Sequence, residues 1–242
     1  ILGSMATVDP ASLTAAELTA YRAEESAVIA HAYIGLAIAL ALIAAVFWLR
    51  RRALNDFTAP EPAGLGGAFA LLKRPRLAFG VAAIFFYVGA EVSIGSVLAN
   101  FLESPDTLAL DAKSAGERVA LYWGGAMVGR FIGAILLKHF SPGKVLALAA
   151  LGAGTLTAVA ATITGAGAGW SLIAVGLFNS IMFPTIFSLA VEGLGEKAPQ
   201  GSALLCMAIV GGAVLPLVTG VVADAGTLAL GLSVPVACYV AI

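Results

Sequence analysis

Apolar residues run along this chain in long stretches broken by short polar turns, not in the alternation of a half-buried strand or the stripe of a surface helix. The hydrocarbon core of a bilayer is about 30 Å thick and takes roughly 20 apolar helical residues to cross. Six stretches meet that length, at about 27–49, 77–101, 118–138, 144–164, 169–192 and 202–223. A seventh, about 228–242, is shorter and reads as cut off, and Ile1-Leu2-Gly3-Ser4 reads as the tail of an earlier span. The only long polar interval is 50–76, which holds Pro60, Pro62 and the short apolar run Leu65–Leu72. Such a run is expected to lie as a short helix in the membrane interface. The pattern predicts an all-α integral membrane protein in three parts: 1–49 with one span, a linker at 50–76, and a helical bundle at 77–242 with its last helix truncated. On this reading the chain is a piece of a longer protein.

Composition sharpens the picture. The chain is 60% hydrophobic and only 11% charged, with a mean hydropathy of +1.00, against about 25% charged residues in soluble domains. Lipid is therefore the solvent for most of it. A net charge of -1 gives no reason to expect a nucleic-acid partner. Cys206 and Cys238 sit in apolar runs, so core positions are expected and no disulfide framework or metal site follows. No P-loop, HExxH or nucleophile elbow is present, and His31 and His139 lie far apart, so neither an enzyme nor a cofactor is expected.

Charge also sets orientation. Arg50, Arg51, Arg52, Lys73, Arg74, Arg76, Lys138, Lys144 and Lys197 fall in loops on one side if every span crosses, against Arg22, Lys113 and Arg118 on the other. Nine basic residues against three put 50–76, 139–143 and 193–201 in the cytoplasm.

Polar groups inside spans are costly unless they face protein or water, and so mark functional candidates. Glu91 lies deep in 77–101, where it can carry a proton or accept a substrate hydroxyl. Arg130 lies at a similar depth in 118–138, so the two form a candidate buried ion pair or gating element. Asn179 offers a donor and an acceptor in mid-span. His31 reads as interfacial and Asp224 as a solvated span end. Gly125, Gly129 and Gly133 share one helix face and invite close helix packing, while Pro184 and Pro216 loosen their spans. Tyr87 and Trp123 are the aromatics best suited to stack on a sugar ring.

Several strings resemble a known family. Phe86-Tyr87-Val88-Gly89-Ala90-Glu91-Val92-Ser93-Ile94-Gly95 resembles the seventh helix of major facilitator superfamily sugar transporters, in the fucose:proton symporter family with its glucose/galactose branch. Gly129-Arg130-Phe131-Ile132-Gly133 resembles its eighth helix. The tenth is matched by Asn179-Ser180-Ile181-Met182-Phe183-Pro184-Thr185-Ile186-Phe187-Ser188-Leu189-Ala190, and Gly201-Ser202-Ala203 resembles the eleventh. The resemblance implies the carboxy-terminal six-helix bundle plus the preceding sixth helix, and alternating access around a midplane site. It adds Ser93 and Asn100 to Tyr87, Glu91 and Asn179 as substrate-binding candidates. It also implies a hexose-type sugar and a proton as cargo, the inner membrane as location, and a missing amino-terminal half that carries the family's proton-coupling acids. The alternatives are an exporter of the same fold for another small molecule, and a membrane scaffold that transports nothing.

Overall fold

The computed structural model describes residues 14–54 and 65–242. The chain forms two units, and helix α1 (Ala15–Leu54) belongs to the first. Within α1, Tyr33–Arg51 is long and apolar enough to cross a membrane. Its large apolar side chains from Tyr33 to Leu49 are exposed all round, as suits a helix whose surroundings are lipid or protein rather than water. The Arg51 guanidinium lies 4.4 Å from the Trp48 ring centroid, an arrangement suited to a membrane–water boundary. The helix starts before the 27–49 stretch and runs past it to Leu54. Pro60, Pro62 and the reading of Ile1-Leu2-Gly3-Ser4 lie outside the described residues.

The second unit is a helical bundle. The apolar run after the linker forms a short helix, α2 (Leu65–Ala70), and a 3-10 turn at Leu71–Lys73. Pro75 then opens α3 (Pro75–Glu103), at a position where its missing N–H costs no hydrogen bond. Helix α4 (Ala112–His139) begins six residues before the stretch read from hydropathy. Asp111 caps it by accepting from the Ser114 N–H, and the hydrogen bonds from Ser114 hold this carboxyl below its usual range. Helix α5 (Pro142–Thr162) follows a tight turn and again starts with proline.

The next two spans are broken. The 169–192 stretch folds as α6 (Ala166–Asn179) and α7 (Met182–Val191). The 202–223 stretch folds as α8 (Ala198–Ala208) and α9 (Gly211–Asp224). A short α10 (Leu228–Gly231) and α11 (Ser233–Ala241) complete the order. Counting each broken pair once, six helical segments among the described residues can cross a membrane, and there are no strands.

Helix α3 is the hub, packing against α4, α7, α9 and α11, while α5 and α4 flank α6. Leu77, Ile84, Ile94, Leu98 and Leu102 along α3 are fully buried against these neighbours. Phe79, Phe131, Ile135, Leu151, Leu217 and Val221 point outward. Lipid is the solvent that makes such an apolar exterior stable. At one end of the bundle Arg76 bridges to Glu192 at 2.8 Å and Arg74 donates to the Gly193 carbonyl at 3.3 Å, tying the start of α3 to the end of α7.

Candidate functional site

The break between α6 and α7 follows from the sequence around it. Pro184 has no N–H, so the Ser180 carbonyl loses its helical partner, and the proline ring crowds that same carbonyl. The helix therefore opens at Ser180 and Ile181. Three carbonyls around the opening accept from side-chain donors, that of Ile181 in addition to its helical bond from the Thr185 N–H. Ser180 Oγ donates to the Leu177 carbonyl at 2.8 Å, and Thr185 Oγ1 donates to the Ile181 carbonyl at 2.7 Å. The Asn179 carbonyl accepts from Tyr87 Oη at 3.0 Å.

Asn179 is the centre of a junction built by four helices. Its side chain is fully buried. The amide Nδ2 donates to Tyr122 Oη of α4 at 2.8 Å, and Tyr239 Oη of α11 donates to its Oδ1 at 2.8 Å. Tyr87, buried in α3, also lies 2.8 Å from Glu91 Oε1. The two share a face of α3 because they are four residues apart. Among the described residues, no buried side-chain nitrogen or oxygen lacks a hydrogen-bond partner. In a low-dielectric interior such a fully satisfied network rigidifies its surroundings.

The glycine face of α4 brings this helix onto the break. A methyl group at Gly129 would strike the Leu177 carbonyl and the Ser180 side chain, and one at Gly133 would strike Ile181. At Gly125 it would lie 3.5 Å from the Leu177 nitrogen. From the other side, Gly176 sits against the Tyr122 carbonyl. The two backbones therefore meet with almost no side chain between them.

The polar candidates divide into a buried set and an exposed set. Ser93 is fully buried, and its hydroxyl accepts from Thr219 Oγ1 at 3.1 Å, joining α3 to α9. Asn179 is likewise enclosed, with its amide committed to two tyrosines. In this structure the polar atoms of both side chains are engaged by neighbouring helices. Glu91 is half-buried, while Asn100 and Arg130 are exposed. Trp123 is 51% exposed and meets Tyr122 edge-on, with ring centroids 5.1 Å apart. Trp123 and Arg130 are two turns apart and share a face of α4. Glu91 and Gly95 share the facing side of α3, and Gly95 leaves room beside the Trp123 ring.

Among the described residues no contact ion pair joins Arg130 to Glu91: Arg130 lies on the exposed face, and Tyr87 donates to the Glu91 carboxylate. The ion pair that does form among the described residues, Arg76–Glu192, was not expected from the sequence. Both residues lie at helix ends on the basic side, which is the signal that could have suggested it.

No protein-family model matches the chain. It is 46% identical over 211 residues to the glucose/galactose transporter of Brucella abortus (strain 9-941), an alignment covering 86% of this chain and 50% of that protein. It is 38% identical over 170 residues to the L-fucose-proton symporter of Escherichia coli K12, covering 67% of this chain and 37% of that one. The crystal structure of the E. coli fucose:proton symporter FucP superposes with a TM-score of 0.79 at 27% identity, over 100% of this chain and 60% of the other. The chain thus spans about half the length of the curated relatives it matches.

Proposed function

Since this multi-pass membrane chain belongs to the major facilitator superfamily and is similar to its sugar transporters, we propose that it is the carboxy-terminal part of a symporter that imports a hexose-type sugar with protons. In this reading 1–49 closes an amino-terminal bundle, 50–76 is the cytoplasmic linker of an inner-membrane protein, and 77–242 forms one wall of the cavity. An amino-terminal half of the same transporter supplies the other wall.

The observation that carries the reading is the exposed polar face of α3 and α4. Glu91, Trp123 and Arg130 stand there in front of a junction whose buried side-chain nitrogens and oxygens all have hydrogen-bond partners. A carboxylate and an indole suit a neutral polyol, the first accepting hydroxyl hydrogens and the second stacking on the apolar face of a sugar ring. Arg130 keeps its charge at any depth and so needs a wet cavity, which this face supplies once a second half covers it. Asn179 acts from behind, fixing the helix break rather than touching sugar. Asn100 lies near the far end of α3 and would meet the sugar on its way in. Occupancy shifts the balance of the two access states only through differential affinity.

The test is uptake by the complete protein in proteoliposomes. Hexose added outside is expected to draw protons inward. Glu91→Gln lowers uptake by roughly tenfold, equivalent to about 1.4 kcal/mol of barrier, while leaving the amount of folded protein unchanged. Sugar-independent proton flux would favour the exporter reading. Unchanged behaviour in Glu91→Gln, Trp123→Leu and Arg130→Leu would favour the scaffold.

A further inference from the structure

Tyr87 stands at a point where hydrogen atoms must be counted. Its hydroxyl lies 2.8 Å from Glu91 Oε1 and 3.0 Å from the Asn179 carbonyl oxygen. A tyrosine hydroxyl carries one hydrogen, and both a carbonyl and an ionised carboxylate can only accept. With Glu91 ionised, the single hydrogen serves one oxygen and leaves the other in close contact with nothing between them. With a proton on Glu91, its O–H donates to Tyr87 Oη and Tyr87 donates to the Asn179 carbonyl. Every oxygen in the chain is then matched. The proton comes from water and forms one O–H bond on the carboxylate, while the tyrosine O–H stays intact and turns.

We propose that Tyr87 is a positioning residue that ties the protonation of Glu91 to the break between α6 and α7. Protonated Glu91 frees the Tyr87 hydrogen for the Asn179 carbonyl at the break, and ionised Glu91 takes that hydrogen back. Tyr87 is the side-chain donor to the Asn179 carbonyl, so losing it leaves that main-chain acceptor short of a partner in an apolar interior. The helix on either side must then shift to satisfy it, and Tyr122 and Tyr239, held by the Asn179 amide, shift with it.

The ionisable groups around Glu91 are few: Tyr87 on α3, Arg130 and Tyr122 on α4, and Cys238 and Tyr239 on α11. Helices α6, α7 and α10 contain no ionisable residue. Helix α8 holds only Cys206, which is exposed, and α9 only Asp224, its last residue.

This inference rests on the transport reading for its purpose but not for its test, which uses no sugar. The complete protein is labelled with carbon-13 at asparagine main-chain carbonyls and titrated between pH 5 and 9 by infrared difference spectroscopy. A carboxyl band that vanishes in Glu91→Gln marks the Glu91 proton. In the wild type, a labelled carbonyl band is expected to shift with the same midpoint. In Tyr87→Phe, which removes one oxygen, the carboxyl band still titrates and the carbonyl band no longer follows. An unchanged size-exclusion profile shows that this variant is folded. If it is not folded, Glu91→Gln serves alone, and its carbonyl band is expected to stay fixed across the range. The proposal is overturned if Glu91 does not titrate, if no wild-type carbonyl band tracks it, if the carbonyl still tracks it in Tyr87→Phe, or if the band moves in Glu91→Gln. Because sugar is absent, such a result leaves the symport reading standing, and failed hexose uptake leaves this titration standing.

Discussion

The two broken spans carry the same kind of instruction and obey it differently. In each a proline sits a few residues past the opening, Pro184 in one and Pro216 in the other. Between α6 and α7 the opening is wet in the chemical sense. Side-chain hydroxyls from Tyr87, Ser180 and Thr185 serve carbonyls around it, and Asn179 at its edge holds two tyrosines. Between α8 and α9 the opening is dry. The chain tightens into 3-10 turns, with Ile209 N donating to the Cys206 carbonyl, Val210 N to Met207 and Gly212 N to Ile209. There Gly211 lies flat against the Phe85 backbone. One break is held by polar side chains and the other by the absence of a side chain. The first therefore responds to chemistry, including protonation, and the second responds only to bulk.

Five substitutions sharpen that contrast. The largest effect is expected at the dry break. Gly211→Val drives a side chain into the Phe85 carbonyl, a strain of about 3 kcal/mol, and should abolish recovery of folded protein as judged by size-exclusion after extraction. Folded Gly211→Val protein in normal yield would dissolve the distinction. Next comes Asn179→Leu at the wet break, which leaves Tyr122 and Tyr239 without their shared partner. Lost bonds of this kind cost about 1–3 kcal/mol, so thermal denaturation should move to clearly lower temperature. The volume-conserving change Leu215→Met, beside the dry break, should leave it nearly in place.

Pro184→Ala restores the missing N–H and lets α6 run on into α7. Amide exchange across 180–184 should slow by roughly fivefold, since a bond worth about 1 kcal/mol is gained. Exchange across 209–213 should not change. Smallest of all is Thr185→Val, which deletes one hydroxyl bond of about 0.6 kcal/mol and should shift the melting temperature only slightly.

Legibility from sequence followed the same divide. The spans were readable because crossing lipid demands a length of apolar chain that nothing else imposes. Pro184 and Pro216 announced loosened helices, but not where they would open, because opening depends on which neighbours can serve the freed carbonyls. The glycine face of α4 was readable from its spacing, whereas its counterpart Gly176 was not, since contact between helices has no local signature. Asn179 was legible as a polar group in mid-span, but its partners were not. Its partners lie 57, 60 and 92 residues away along the chain, so nothing near it showed that its amide was already engaged. Glu91 and Arg130 were matched by depth alone, and depth does not fix rotation about the helix axis. Tyr87, one turn from Glu91, was the nearer partner throughout.

The Asn179 junction also dictates an order of assembly. The chain is made from its amino-terminal end, so Tyr87 and Tyr122 reach the membrane before Asn179 does, and Tyr239 arrives last. Until α11 docks, the Asn179 Oδ1 waits without its tyrosine donor, and the bundle holds one unsatisfied polar group in an apolar medium. Helix α11 thus delivers the last hydrogen bond of this junction. A quality-control protease that senses loosely packed membrane helices would find its substrate in any chain halted before Tyr239, and would lose it when that residue seats.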